Sequence, residues 1–230
     1  MQKSTRLTGD LEQLAVRADR ELQGADALEI LRWAGTAFGP RLVVASSMAD
    51  TVLVYLAAHA VPGVDVLFLD TGYHFPETIG TRDAVAAVCD ITLVDVAPVQ
   101  TVAEQDARFG ARLHDRDPDL CCRLRKVVPL NRALGPYLAW ATGVRREESP
   151  IRAATPVVGY DAARGMVKIN PLAHWTEADL QAYAARHQII VNPLLDQGYA
   201  SVGCAPCTRP SQNRDGRWAG AAKTECGIHT

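Results

Sequence analysis

The chain has 230 residues, 48% of them hydrophobic and 22% charged, with a formal net charge of −2. That length buries a sizeable core without disulfide staples and suits one domain with small appendages. The near-balanced charge makes no broad claim on nucleic acid or membranes, and no apolar run is long enough to span a bilayer. Met1 to Arg6 leads into a polar stretch rather than an apolar signal core, which points to the cytoplasm. Thiols stay reduced there, so clustered members of the six cysteines read as ligands or catalysts rather than disulfides.

Leu11, Leu14 and Ala15, then Ala27, Leu28, Ile30, Leu31 and Ala34, recur at helical spacing, and Gly39-Pro40 ends the second helix. Alternating units follow. Arg41 to Ala45, Val64 to Leu69 and Ile91 to Val96 read as buried strands, with Thr51 to Ala60 and Pro76 to Cys89 as the helices between them. This alternation predicts an α/β fold with a mainly parallel sheet flanked by helices. Ligands of such sheets sit beyond the carboxyl ends of the strands, where the polar turns 46–50 and 70–74 fall. Thr101 to Gly110 predicts a helix, followed by a polar loop from His114 to Asp119. Leu120 to Lys126 predicts another helix, which Pro129 kinks. Tyr137 to Thr142 predicts a fourth strand, ending in Gly143-Val144-Arg145-Arg146. Val157 to Tyr160 and Met166 to Ile169 predict a hairpin. Thr176 to His187 predicts a helix with Thr176 as its cap and Asp179 close to a capping box. Beyond Asn192-Pro193 the pattern fades into Gly, Pro and charge, and reads as loop.

The chemistry gathers in the cysteines. Cys204-x-x-Cys207 sets two thiols on one turn shaped by Gly203 and Pro206. Alone, that spacing is shared by zinc sites, redox dithiols and iron–sulfur clusters. Its companion pair, Cys121 and Cys122, is adjacent, so on a helix the two side chains point about 100° apart. Such a pair reaches one zinc ion awkwardly, whereas each cysteine of a [4Fe–4S] cube ligates a different iron. Adjacency therefore favours a cube over a structural zinc. Arg123, Arg125 and Lys126 would offset the cluster's negative charge or face an anionic substrate; a solvated basic helix face is the alternative. Cys226 lies outside any periodic pattern, near Lys223, Glu225 and His229. The two cationic neighbours favour its thiolate and Glu225 opposes it. It reads either as a nucleophile on a mobile tail or as an incidental surface thiol.

Together these segments resemble the assimilatory sulfonucleotide reductases, in particular the [4Fe–4S] adenosine 5′-phosphosulfate (APS) reductases, from about residue 40 onward. The most specific pieces are Cys121-Cys122-Arg123 with Lys126, Cys204-x-x-Cys207 and Glu225-Cys226-Gly227-Ile228-His229. Leu69-Asp70-Thr71-Gly72, Gly143-x-Arg145-Arg146 with Ser149, and Arg214-x-Gly216-Arg217-Trp218 support them. The family branch specific for 3′-phosphoadenosine 5′-phosphosulfate (PAPS) lacks the cluster cysteines, so the four cysteines favour APS.

The resemblance implies an adenine-nucleotide α-hydrolase-like fold related to the PP-loop proteins. Ser46-Ser47-Met48-Ala49-Asp50 stands where the family usually has Ser-Gly-Gly-x-Asp or Ser-Gly-Ala-x-Asp. Without glycine, close backbone approach to a long phosphate chain is harder, which counts against an ATP pyrophosphatase or sulfurtransferase. The implied metal ligands are Cys121, Cys122, Cys204 and Cys207. The implied catalytic residues are Cys226, attacking the sulfur of APS, and Lys126, screening charge. Arg145, Arg146, Arg214 and Arg217 would hold the phosphosulfate, with hydrogen bonds from Ser46 and Ser47. Asp70, Thr71 and Gly72 would lie beside the adenosine. Trp218 would close over the substrate or serve as a core side chain, and Asp70 is alternatively a helix cap. The implied partner is thioredoxin or a similar dithiol, with no nucleic acid or membrane; a homo-oligomer stays open. The organisation expected is a nucleotide-binding catalytic domain over residues 1–200, then a cluster-ligand loop and mobile tail over 201–230.

Overall fold

The computed structural model describes residues 2–218, 223 and 225–229, with side chains from residue 9 onward. Two helices, α1 (Gln2–Glu21) and α2 (Ala27–Phe38), precede the sheet. Asp26 caps α2 in a reciprocal capping box with Glu29. The alternating units follow as β1 (Leu42–Ala45), α3 (Val52–Ala60), β2 (Val64–Leu69), α4 (Pro76–Val88) and β3 (Ile91–Val96). Then come α5 (Val102–Phe109), α6 (Leu113–Arg116), α7 (Pro118–Cys122), α8 (Val128–Ala133), β4 (Ala139–Thr142), β5 (Val158–Asp161), β6 (Met166–Ile169) and α9 (Glu177–Arg186).

Six strands form one sheet in the order β3-β2-β1-β4-β6-β5. All neighbours are parallel except β5, which runs antiparallel to β6 as the hairpin pattern predicts. The chain builds outward from β1 through β2 to β3, then crosses back to place β4 on the other side of β1. The switch point therefore lies between β1 and β4, the place where such sheets open a crevice for ligands. Alternate side chains supply two cores. Leu42 and Val44 join α1, α2 and α3 on one face, while Val43 joins Leu67, Trp140, Leu130 and Met166 on the other. Ile228, in the C-terminal tail, packs against this second core.

Three expectations change. The polar loop from His114 to Asp119 contains α6 and the start of α7, which Asp117 caps by accepting the Leu120 N–H (2.9 Å). The fourth strand begins at Ala139 rather than Tyr137. The expected helix from Leu120 to Lys126 is α7 followed by a π-helical turn, Arg123–Val127, that runs into α8. Pro129 sits in the first turn of α8, where its missing N–H costs little. The distortion lies upstream, where the Val128 N–H reaches back to the Arg123 carbonyl. The wide turn leaves Arg123 in solvent and turns Arg125 and Lys126 inward, at 4% and 9% exposure.

The glycine-free loop after β1 bends by other means. Met48 and Thr51 take left-handed φ values of 55° and 56°, a region that disfavours residues with a side chain beyond Cα. Long-range contacts hold the bend. Asn192, fully buried, donates to the Met48 carbonyl (3.3 Å) and to Thr78 Oγ1 (3.0 Å), and its own N–H reaches the Ala49 carbonyl (2.8 Å). The Thr51 hydroxyl donates to the Ile190 carbonyl. Asn192→Ala removes donors from buried acceptors and should cost about 1–3 kcal/mol. A lowered urea midpoint with an unchanged slope would show it; an unchanged midpoint would mean that the loop is held elsewhere.

Candidate active site

The two cysteine pairs meet. Cys121 and Cys122 end α7, and Cys204 and Cys207 bracket a 3-10 turn, Ala205–Cys207; all four line one small cavity, with Lys126 and Trp218 in its wall. Hydrogen bonds from three directions fix the loop that carries the second pair. The Ala205 N–H donates to the Tyr73 carbonyl (2.7 Å), the Thr208 hydroxyl to the Cys204 carbonyl (2.8 Å) and the Trp218 N–H to the Cys207 carbonyl (2.8 Å). The Thr71 hydroxyl contacts the Cys204 sulfur at 3.3 Å.

Arg125 ties α7 to the same place. Its Nε donates to the Thr71 carbonyl, its Nη1 to Gln105 Oε1 (3.1 Å), and its guanidinium lies 5.2 Å from the Tyr73 ring centroid. Gly72, at φ 71°, passes close beneath it: a Cβ there would stand 3.0 Å from Arg125 Nη2. Asp70 accepts the Gly72 N–H (2.9 Å), which closes the turn. The cap of α4 is Phe75, not Asp70.

The thiols are electrically crowded. Burial, then Cys122, Cys204 and Cys207, push the Cys121 thiol up to about 12. Burial and Cys204 raise Cys207 to about 11. Burial would raise Cys204 too, but Lys126, the Thr71 hydroxyl and Arg217 outweigh it and hold that thiol below its ordinary value. Burial works against the Lys126 ammonium, yet the surrounding Cys204, Cys226 and Cys122 raise its pKa, so it stays charged. Among the described residues, no three His, Cys, Asp or Glu side chains stand at the spacing of a single bound ion. The four thiols surround a shared space instead. They resist ionising together unless a cationic centre lies between them.

The remaining residues singled out in the sequence divide between this cavity and the switch point. The Arg217 guanidinium crosses Gly203, where a Cβ would stand 2.2 Å from Nη2; it donates to the Val202 carbonyl (3.2 Å) and stacks over Trp218 at 4.7 Å. Trp218 is buried at 5% exposure. Cys226 is half-buried and is among the lesser causes that raise the pKa of the Cys122 thiol and the Lys126 ammonium. At the switch point, Ser46 follows β1 with its N–H on the Leu67 carbonyl (3.1 Å), and its hydroxyl accepts the Met48 N–H (3.1 Å). Ser47 is exposed. Across the crevice, buried Arg145 pairs with Glu177 (2.5 Å) and opposes the rise that burial imposes on the Asp50 carboxyl. Arg146 does not join the site. Its Nε donates to the Thr155 carbonyl (2.8 Å), and its Nη1 meets His174 Nδ1 at 3.1 Å.

Sequence reasoning missed a basic cradle under the tail. Arg152 forks onto both Glu225 oxygens (2.9 and 2.8 Å) and also holds Glu148 (2.6 Å). Arg214 stands 3.4 Å from Glu225. His229 stacks on Trp140, with centroids 5.7 Å apart and planes 14° from parallel. Lys168 lies 5.1 Å from the same indole, and Trp140 and Lys168 are register partners in β4 and β6. Burial lowers the His229 pKa well below its ordinary value, helped by Lys168 and Arg152, so the imidazole is neutral at pH 7. Buried polar atoms without a partner among the described residues include His229 Nδ1, Trp140 Nε1, Arg145 Nε, Arg217 Nε and Trp218 Nε1. Such atoms are uncommon in a folded interior.

The mainly parallel sheet flanked by helices, with its order turning back between β1 and β4, is an α/β fold of the adenine-nucleotide α-hydrolase type. Fold likeness agrees: a Candida glabrata FMN adenylyltransferase superposes with a TM-score of 0.56 at 14% identity, over 88% of this chain and 73% of that one. The phosphoadenosine phosphosulfate reductase domain profile matches residues 41–210. The chain belongs to that family of sulfonucleotide reductases. A Candida auris PAPS reductase in complex with phosphate superposes with a TM-score of 0.73 at 32% identity, over 85% of this chain and 96% of that one. An adenosine 5′-phosphosulfate reductase of Streptomyces coelicolor is 62% identical, over 97% of both chains. One from Mycolicibacterium smegmatis is 57% identical, over 98% of both.

The cradle has a pH signature. Burial, ahead of opposing Asp161, lowers the Lys168 pKa to about 8. Below that pH the lysine is protonated in both folded and unfolded chains, and the folded chain bears the full cost of burying it. As pH climbs from about 8 toward the ordinary lysine value near ~10.4, the folded chain loses its proton first and the cost is relieved. Lys168→Met should therefore be the more stable chain below pH 8, by on the order of 1 kcal/mol after solvent screening, and the gap should close as pH rises. Unfolding midpoints at pH 7 and pH 10 check this; a gap that widens with pH contradicts it.

Proposed function

We propose that the chain reduces adenosine 5′-phosphosulfate to sulfite and AMP, with Cys226 as the nucleophile. The observation that carries this reading is the seating of the tail on both sides of Cys226, with Glu225 on Arg152 and Arg214 and His229 stacked on Trp140. Relatives named for this activity share nearly the whole chain. The adenosine would occupy the crevice between Ser46–Asp50 and Gly143, with Asp70–Gly72 beside it. The phosphosulfate would extend toward Lys126, Arg214 and Arg217, with Ser46, Ser47 and Arg145 as further donors. Neutral His229 would offer a hydrogen bond without adding charge.

The Cys226 thiolate attacks the sulfur. The S–O bond to the phosphate breaks, AMP leaves with the electron pair, and Cys226 carries an S-sulfonate. A thiolate of thioredoxin, or of a similar dithiol, then attacks Cys226 Sγ. Sulfite departs, and the reductant's second thiol resolves the mixed disulfide and regenerates Cys226. The dithiol supplies both electrons. Lys126 and the arginines screen the approach of one anion to another, a role that grows as charge develops on the leaving phosphate.

Cys121, Cys122, Cys204 and Cys207 would hold a [4Fe–4S] cluster, and the donor set fits: four thiols face one cavity, with a charged lysine in its wall. When bound there it would supply structural cross-linking and a fixed negative field rather than electrons. That four-cysteine set favours APS over PAPS. Residues 201–230 then act as an anchored ligand loop followed by a tail that swings Cys226 out to its reductant, in the reducing cytoplasm. The loop at 46–50, without glycine, disfavours ATP chemistry on the same fold.

Sulfite release from APS and from PAPS, side by side with reduced thioredoxin, tests the reading. APS should be strongly preferred. Cys226→Ser should lower turnover by about 10³-fold or more while AMP affinity stays within about twofold. Purified protein should carry about four irons per chain, and Cys204→Ser should lose them. Wild-type sulfite production by Cys226→Ser would remove the nucleophile; zinc in place of iron would remove the cluster.

A further inference from the structure

Glu225 immediately precedes Cys226, so whatever fixes its carboxylate fixes the backbone that carries the thiol. Arg152 does this with two parallel bonds, Nε to Oε1 (2.9 Å) and Nη2 to Oε2 (2.8 Å). This fork-to-fork geometry sets direction as well as distance. The third guanidinium nitrogen, Nη1, donates to Glu148 Oε2 (2.6 Å), which also accepts the Arg145 N–H (2.9 Å). The clasp is thereby tied to the loop that leaves β4 at the switch point. Arg152 itself is held in a tight turn, its N–H on the Ser149 carbonyl and its carbonyl accepting the Thr155 N–H, both at 2.9 Å. The side chains of Arg152, Glu225 and Glu148 are 9%, 11% and 16% exposed, so solvent does little to loosen them. The other tail contacts are less direct. Ile228 and His229 pack beyond Cys226, and Lys223 meets Asp119 before it.

We propose that Arg152 is the positioning residue of the nucleophile: through Glu225 it fixes the backbone that carries Cys226, without itself acting on the reacting atoms. Electrical balance supports the assignment. Two guanidiniums, Arg152 and Arg214, face two carboxylates, Glu148 and Glu225. With Glu225 seated, the Arg152 fork is fully engaged. The proposal rests on Cys226 being the nucleophile of the reductase reading, and its test separates the two.

Three readouts are compared in Arg152→Gln, Glu225→Gln, the double variant and the milder Arg152→Lys. They are single-turnover formation of the Cys226 S-sulfonate from APS, AMP affinity, and iodoacetamide alkylation of Cys226 followed by peptide mass. Arg152→Gln should slow adduct formation by about 10²-fold through lost orientation, with AMP affinity within about twofold. It should also speed alkylation of Cys226 by about tenfold, because the tail is freed. Arg152→Lys, which keeps the charge but loses the fork, should fall between it and wild type. The double variant should be no worse than the worse single, since both break one contact. Three results would overturn the proposal: AMP affinity falling in step with rate, additive losses in the double variant, or unchanged alkylation. If wild-type chain forms no Cys226 adduct with APS, the reductase reading fails; alkylation then still decides whether Arg152 holds the tail.

Discussion

The site depends on a buried ammonium. Lys126 lines the same cavity as the four thiols, and its ammonium is the largest of the influences that hold Cys204 below its ordinary value against burial. Removing the charge would leave only the Thr71 hydroxyl and Arg217 to oppose the burial of Cys204. The π turn between α7 and α8 puts the ammonium there. A regular helix would spread Arg123, Arg125 and Lys126 around its axis, whereas the wide turn carries the last two into the interior. Arg125 then locks the arrangement to the end of β2 through Thr71 and Tyr73. The sheet, the helix and the cysteine loop become one rigid wall.

Around that wall the molecule separates fixed from movable parts. Cys204 and Cys207 are held by hydrogen bonds from three sides, two of them between backbone groups and one from the Thr208 hydroxyl. Among the described residues, Cys226 has no comparable backbone anchor. It is held by what lies beside it: an ion pair at Glu225, a small apolar contact at Ile228 and a stacked ring at His229. Side-chain contacts of this kind break and re-form at lower cost than a network of buried backbone bonds. The tail therefore has a defined seat held by contacts that open cheaply, which the proposed exchange of Cys226 between substrate and reductant would require.

Much of this was legible in the sequence, for identifiable reasons. The alternation of β-branched runs with helical periods gave the parallel sheet, because burial on both faces imposes that pattern locally. Five of the six cysteines pointed to the candidate site, because thiols are chemically distinctive and the adjacency of Cys121 and Cys122 survives folding. What escaped depends on contacts between distant segments. Asn192 only marked where the regular pattern fades, and its packing against Met48, Ala49 and Thr78 reveals that it supports the loop after β1. Lys168 read as an ordinary residue of a short strand, until Trp140 and the tail enclose it. Arg152 lies in an irregular turn with no periodicity to mark it. Arg146, by contrast, carried a strong local signal in the Arg145-Arg146 pair, yet the fold turns it toward Thr155 and His174 and leaves only Arg145 at the crevice.

The central claim is that a thiol on the tail, not a group in the fixed wall, takes up the sulfur. Incubating reduced protein with APS and no external reductant, then mapping the modified peptide by mass, tests it most directly. The account predicts one added SO3 group per chain, confined to Cys226, with AMP released in equal amount and no pyrophosphate. AMP release with no covalent adduct, or an adduct on one of the four cavity cysteines, would contradict it.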